Sequence, residues 1–178
     1  MAEDTNVPAE DAQEAPEPEA AAAAAAERIF LVVVDETEEM HKALHFACRR
    51  ALHTGGRVAL LYVIEPPEFQ HWLGVERVMQ DEARQQAEQT LQALAAKVQA
   101  LTTKMPALYV REGRRRDELL ALIKEEPTIS LLVLATATGR EGPGPLVTYL
   151  ISQLGGQLEI PVTLVPGLLT EQQIDAVT

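Results

Sequence analysis

Aromatic residues make up only 4% of this 178-residue chain. So thin a supply argues against a stacking platform for single-stranded nucleic acid. Positive charge is also short: 15 Lys and Arg face 27 Asp and Glu, a formal net charge of -12. That balance disfavours binding to a phosphate backbone. A single cysteine excludes a disulfide framework and a thiolate metal cluster. No stretch approaches the roughly 18 consecutive apolar residues of a membrane span. What is plentiful is aliphatic material. Hydrophobic residues reach 47%, enough for one sizeable core, and the expectation is a soluble, acidic, cytoplasmic protein of one domain plus a tail.

The charge deficit is concentrated at the start. Residues 1–27 contain no Lys or Arg and eight acids: Glu3, Asp4, Glu10, Asp11, Glu14, Glu17, Glu19 and Glu27. The rest of the chain carries 19 acids against 15 bases. Alanine runs from Ala20 to Ala26, and Pro8, Pro16 and Pro18 interrupt what precedes it. Such a segment cannot bury enough apolar surface to offset the entropy of ordering. It reads as a disordered acidic arm. It lacks both the basic start of a secretory signal and the arginines of a mitochondrial presequence.

From Arg28 the pattern changes. Ile29 to Val34 (IFLVVV) is an unbroken apolar run, as expected of a strand covered on both faces. Asp35 breaks it. Thr37 offers a helix N-cap, with acids in the first turn. Met40, Ala43, Leu44, Ala47, Cys48 and Ala51 then recur at helical spacing until Gly55-Gly56. The alternation repeats. Strands are expected at Arg57–Ile64, Ala107–Arg111, Ile129–Ala135 and Ile160–Val165. A long helix follows the loop containing His71 and Trp72, with Val75, Met79, Ala83, Ala87, Leu91, Leu94, Val98 and Leu101 facing inward. Further helices are expected at Asp117–Glu126 and Leu146–Leu158. Thr170 to Gln173 fits a capping box for a short C-terminal helix or a frayed tail. Five strands alternating with helices imply a parallel sheet with helices on both faces, an α/β, Rossmann-like architecture. Ligands of such sheets bind beyond the carboxyl ends of the strands, where strand order reverses. The ends of strands one, two and four are therefore the places to search.

The pattern resembles the universal stress protein family. VVVD at Val32–Asp35, LLYVIEP at Leu60–Pro66, LLVLATATG at Leu131–Gly139 and PVTLVP at Pro161–Pro166 look like the family's first, second, fourth and last strands, in order and at its spacing. The resemblance covers Ile29 to about Pro166. It implies a sheet order of 3-2-1-4-5 and a homodimer. It divides the chain into the arm at 1–27, an α/β domain at 28–167 and a tail or short helix at 168–178.

Nucleotide-binding members carry two glycines three positions apart, then Gly-Ser or Gly-Thr after a fixed gap. Glycines let backbone N–H groups approach phosphate with no Cβ in the way. Here that register falls on Ala135 and Thr138, then nine residues, then Thr148-Tyr149. The spacing survives and the glycines are lost. A second register, Gly139 to Gly142, reaches Ser152-Gln153 instead, and Glu141 places negative charge in the loop. No Gly-Lys-Ser/Thr follows, so the loop is not a Walker A either. In the family, the position of Asp35 lies near adenine and ribose, and that of Val63 makes a backbone contact to the base. Asp35 also has an ordinary role, bonding the N–H groups that follow it.

Other candidates are weaker. His41 and His45 are four apart on one helix with no third metal ligand in view. Cys48 falls on the buried stripe and reads as a small hydrophobe. Arg114, Arg115 and Arg116 sit at a helix start, where the dipole disfavours cations. No catalytic set, paired carboxylates or zinc spacing stands out. The expected function is a regulatory, stress-response module working through contacts with an unidentified protein partner. It would dimerise through strand Ile160–Val165 and use no cofactor. The alternative is an adenine-nucleotide switch, in which Asp35, Val63, Ala135, Thr138, Gly139, Gly142 and Thr148 line an ATP site. An adenine-nucleotide hydrolase would need a phosphate loop after strand one, and Asp35-Glu36-Thr37-Glu38 has no glycine there.

Overall fold

The computed structural model describes residues 27–66, 76–139, 142–153 and 158–178. The arm at 1–26, the loop residues His71, Trp72 and Val75, and Arg140 and Glu141 lie outside the described residues. The elements are β1 (Ile29–Val34), α1 (Glu38–Thr54), β2 (Arg57–Ile64), α2 (Glu76–Thr102), β3 (Ala107–Glu112), α3 (Arg115–Glu125), β4 (Ile129–Thr136), α4 (Pro145–Gln153), β5 (Val162–Pro166) and α5 (Glu171–Asp175).

The five strands form one sheet in the order β3-β2-β1-β4-β5, every neighbouring pair parallel. The apolar run of β1 is central and buried along its whole length, and period-two alternation divides its side chains between the faces. Phe30, Val32 and Val34 pack under α1 and α2, with Ile174 of α5 closing that side. Ile29, Leu31 and Val33 pack under α3 and α4. The expected strand order and two-sided cover are both present.

Local chemistry explains the edges of α1. Thr37 caps it, its hydroxyl accepting from the Met40 N–H at 3.3 Å. Gly55 ends it at φ 69°, a left-handed conformation that costs a side-chain-bearing residue roughly 1–2 kcal/mol. Met40, Ala43, Leu44, Ala47, Cys48 and Ala51 are all buried, as their spacing predicts.

The long helix departs from expectation at both ends. Met79 is 55% exposed and Leu101 is 47% exposed, although both fall on the stripe that was expected to face inward. The reasons are geometric. The 27 residues of α2 extend about 40 Å at 1.5 Å per residue, whereas the eight of β2 span about 26 Å. The helix therefore outruns the sheet, and Ala87 is the first buried residue among its described side chains. At the far end Leu94, Ala95, Val98 and Thr102 turn inward, which rotates Leu101 off the core. Smaller shifts occur elsewhere. The third helix begins at Arg115 rather than Asp117, and Leu158 is not helical. The last strand is Val162–Pro166 rather than Ile160–Val165.

Candidate functional site

The carboxyl ends of β1, β2 and β4 meet at one edge of the domain, because β1 lies between β2 and β4. Asp35 follows β1 directly. One of its carboxylate oxygens, Oδ1, accepts from the Thr37 N–H at 2.9 Å and from the Thr37 hydroxyl at 2.5 Å. Asp35 thus shapes the entry to α1. Its other oxygen has no bonding partner among the described residues. Val63 is 3% exposed and sits in the core on the α3/α4 side.

Ala135 is half-buried near the end of β4, opposite Val165 and on the α1 side. The loop beyond it is closed by its own bonds. The Ala137 N–H donates to the Pro143 carbonyl at 3.3 Å. The Thr138 N–H and hydroxyl both donate to Glu39 Oε1, at 3.2 and 2.9 Å. Glu39 stands in the first turn of α1. Its own backbone N–H, then the Thr138 hydroxyl and the Thr138 N–H, hold its carboxyl below the usual 4.5. The chain leaving β5 seals this junction. The Gly167 N–H donates to the Thr136 carbonyl at 3.2 Å, and a Cβ on Gly167 would lie 2.5 Å from Glu39 Cγ and 2.9 Å from Thr138 Cγ2.

Gly139 and Gly142 are exposed. Gly142 and Gly144 adopt φ of 97° and 100°, with open space where a side chain would be. Thr148 is exposed, and its hydroxyl donates to the Gly144 carbonyl at 2.9 Å. Ala135 near the end of β4, Thr138, Gly139 and Gly142 in the loop after it, and Thr148 in α4 therefore follow one another along a single strand-loop-helix segment. Val63 is turned into the core instead.

Glu39 carries no motif and stands in the sequence only as one of the acids of the first turn after Thr37. A signal was available. It lies one helical turn after Asp35, and a 3-2-1-4-5 order places that turn beside the loop after β4.

The other candidates have ordinary partners. His45 Nε2 lies 2.8 Å from Asp175 Oδ1, and Arg49 Nε lies 3.0 Å from the same oxygen, so both tie α5 to α1. Cys48 is buried, and burial pushes its thiol up to about 12. The Arg115 N–H donates to Glu65 Oε1 at 3.1 Å, and its guanidinium lies 3.3 Å from Oε2 of the same side chain. Arg116 lies 5.3 Å from the centre of the Tyr149 ring, bridging α3 to α4. Among the described residues, no group of three His, Cys, Asp or Glu side chains is placed to hold a metal ion. No helix among them is long and apolar enough to cross a membrane.

The family model described as the Universal stress protein family matches residues 26–166. The chain belongs to the universal stress protein family. Solved structures of the same fold include the universal stress protein UspA from Lactobacillus plantarum, at 18% identity and a TM-score of 0.66, covering 79% of this chain and 99% of that one. A universal stress protein in complex with cAMP is 17% identical, with a TM-score of 0.57, covering 79% and 98%. A family member from Arabidopsis thaliana with AMP bound is 12% identical, with a TM-score of 0.52, covering 78% and 91%. No curated protein matches this universal stress protein. At these identities the structural likeness establishes the fold, and the site must be argued from the residues themselves.

Proposed function

We propose that this universal stress protein is a regulatory module, acting in the cytoplasm through protein contacts rather than turnover and without tight ATP binding. The Glu39–Thr138 contact carries the reading. A phosphate-binding loop works by offering unpaired backbone N–H groups to an anion. Here the Thr138 N–H and hydroxyl are already given to a carboxylate of the same chain, and the Ala137 N–H to Pro143. A nucleotide would have to displace Glu39 and would meet its negative charge. The side chains of Ala135 and Thr138 add bulk where glycine would let main chain close on phosphate. The same strand-edge logic supports a homodimer. β5 is an edge strand, and pairing it with its copy covers the β5 edge of each subunit in a closed two-fold assembly.

Calorimetry with ATP and ADP tests the reading. The expected result is no saturable binding at micromolar concentration and no nucleotide in the purified protein. Micromolar ATP binding that is lost in Asp35→Ala would replace this reading with an adenine-nucleotide switch. Two observations favour that second reading: the cAMP and AMP complexes of the relatives above, and the open, left-handed glycines Gly142 and Gly144.

A further inference from the structure

On the opposite face of the sheet from Val63, a cleft of about 210 Å³ opens between the start of α1 and the middle of α2. Asp35, Glu36, Thr37, Met40, His41, Tyr62, Thr90 and Leu94 line it. The volume is below the roughly 300 Å³ at which pockets begin to hold drug-sized ligands. It suits one long side chain.

The lining is chemically selective. Among the described residues Asp35 keeps one carboxylate oxygen free, since Oδ1 alone serves Thr37. Glu36 is exposed, and its carboxylate meets no cation among the described residues. Tyr62 presents an aromatic ring, and Met40 and Leu94 supply an apolar base. Carboxylates at the rim, an aromatic face and an apolar floor suit an alkyl guanidinium or ammonium: the stem lies on apolar surface and the head pairs with acid. The formal charge of -12 biases encounter toward cationic partners in the same sense.

Beside the cleft rises the part of α2 that outruns the sheet. Met79 and Ala83 continue the line of Ala87 and Leu91 at steps of four, yet neither belongs to a core cluster of the described residues. Val78 and Met79 are 57% and 55% exposed. The cationic neighbour Arg84 is held by Glu112 at 2.7 Å.

We propose that this cleft and the overhanging turns of α2 form the docking surface for a basic, amphipathic protein segment, with one Arg or Lys side chain in the cleft and apolar residues against Met79. The inference rests on the reading that the protein works through protein contacts, and it names the chemistry of the partner.

The test is an NMR amide titration of the full chain at about 0.15 M salt, where exposed charges farther apart than about 8 Å are screened. Four probes are compared: N-acetyl-arginine amide, the neutral N-acetyl-norleucine amide, spermidine, and a short helical peptide with one arginine flanked by leucines a turn away on either side. Arginine amide should give saturable shifts confined to the cleft residues, and norleucine amide none. The peptide should bind at least about tenfold more tightly than arginine amide, because it adds the apolar contacts. The double variant Asp35→Asn with Glu36→Gln should weaken both by about tenfold or more, since charge-assisted bonds are lost. Asparagine keeps an Oδ1 acceptor for Thr37, so α1 retains its entry turn. Met79→Ser should weaken the peptide alone.

Shifts scattered over the acidic surface and unchanged in the double variant overturn the proposal. So do equal responses to arginine and norleucine amides. Spermidine binding as tightly as the peptide, with Met79→Ser without effect, would assign the cleft to a free amine and overturn the protein partner. The two failures are distinguishable although Asp35 enters both tests: ATP binding would undo the functional reading, whereas arginine amide that fails to bind while ATP also fails would undo the cleft alone.

Discussion

Glu39 and Thr138 are separated by 99 positions and meet through a single carboxylate oxygen, which takes both the Thr138 N–H and its hydroxyl. This contact joins the first turn after β1 to the loop after β4, the two segments between which a ligand of this fold would lie. A helix start stabilises an acid by itself, because the first-turn N–H groups are unpaired and the dipole is positive there. Glu39 adds a second set of donors from across the sheet.

The depressed pKa of Glu39 fixes the sign of its pH dependence. A carboxyl that ionises more readily when folded stabilises the native state above its unfolded value of 4.5, and that contribution is lost as pH falls through the folded value. Glu39→Gln keeps the shape and removes the charge. The variant should be less stable than the parent near neutrality, with the gap closing as pH drops below 4.5. Urea midpoints measured from neutrality into the acid range check this. A gap independent of pH would show that the charge of Glu39 is idle.

Gly167→Ala should be destabilising by about 1–3 kcal/mol, the usual cost of overpacking. The new methyl would lie 2.5 Å from Glu39 Cγ and 2.7 Å from the Thr136 carbonyl oxygen. The carbonyl is backbone of β4 and cannot swing aside as a side chain would. Combined with Glu39→Ala, the cost should shrink, because the nearest of three obstacles is gone while the Thr136 carbonyl and Thr138 Cγ2 remain. Urea denaturation of both single variants and the double measures the coupling.

The fold was legible because its signals are local. Apolar runs of four to eight residues, Thr37 before a helical stripe and Gly55 behind it each specify an element without knowledge of the rest. Strand order was legible only through family resemblance, since periodicity says nothing about neighbours. Met79 and Leu101 show the limit of the helical stripe: it identifies a face, whereas burial depends on whether a sheet extends beneath it. The loop after β4 was legible as a phosphate motif without its glycines. What occupies its N–H groups had only an indirect signal: the resemblance set β1 beside β4, but no motif marks Glu39 among the acids after Thr37 as the one that reaches Thr138.

Cys48 should be inert to thiol reagents in the native protein at pH 8. Burial raises its pKa to about 12, so the thiolate fraction at that pH is about one in ten thousand, and the sulfur is also shielded. Reaction with a disulfide reagent should follow global unfolding and rise steeply with denaturant. Rapid labelling without denaturant would mean that α1 detaches locally from the sheet.

Dimerisation should depend on the outer edge of β5. Leu164 is 37% exposed on that strand, directly opposite Leu134 of β4. An apolar side chain left partly in water on an unpaired edge favours contact with another strand, and lysine at such a position is a common means of preventing it. Light scattering at high micromolar concentration should therefore report a dimer for the parent and a monomer for Leu164→Lys. Ile151 on α4 is 49% exposed and supplies a control, since Ile151→Lys removes apolar surface off the edge and should leave the dimer intact. A parent monomer sinks the assembly outright. A dimer lost equally in both variants would place the contact on the α4 face rather than along the strand.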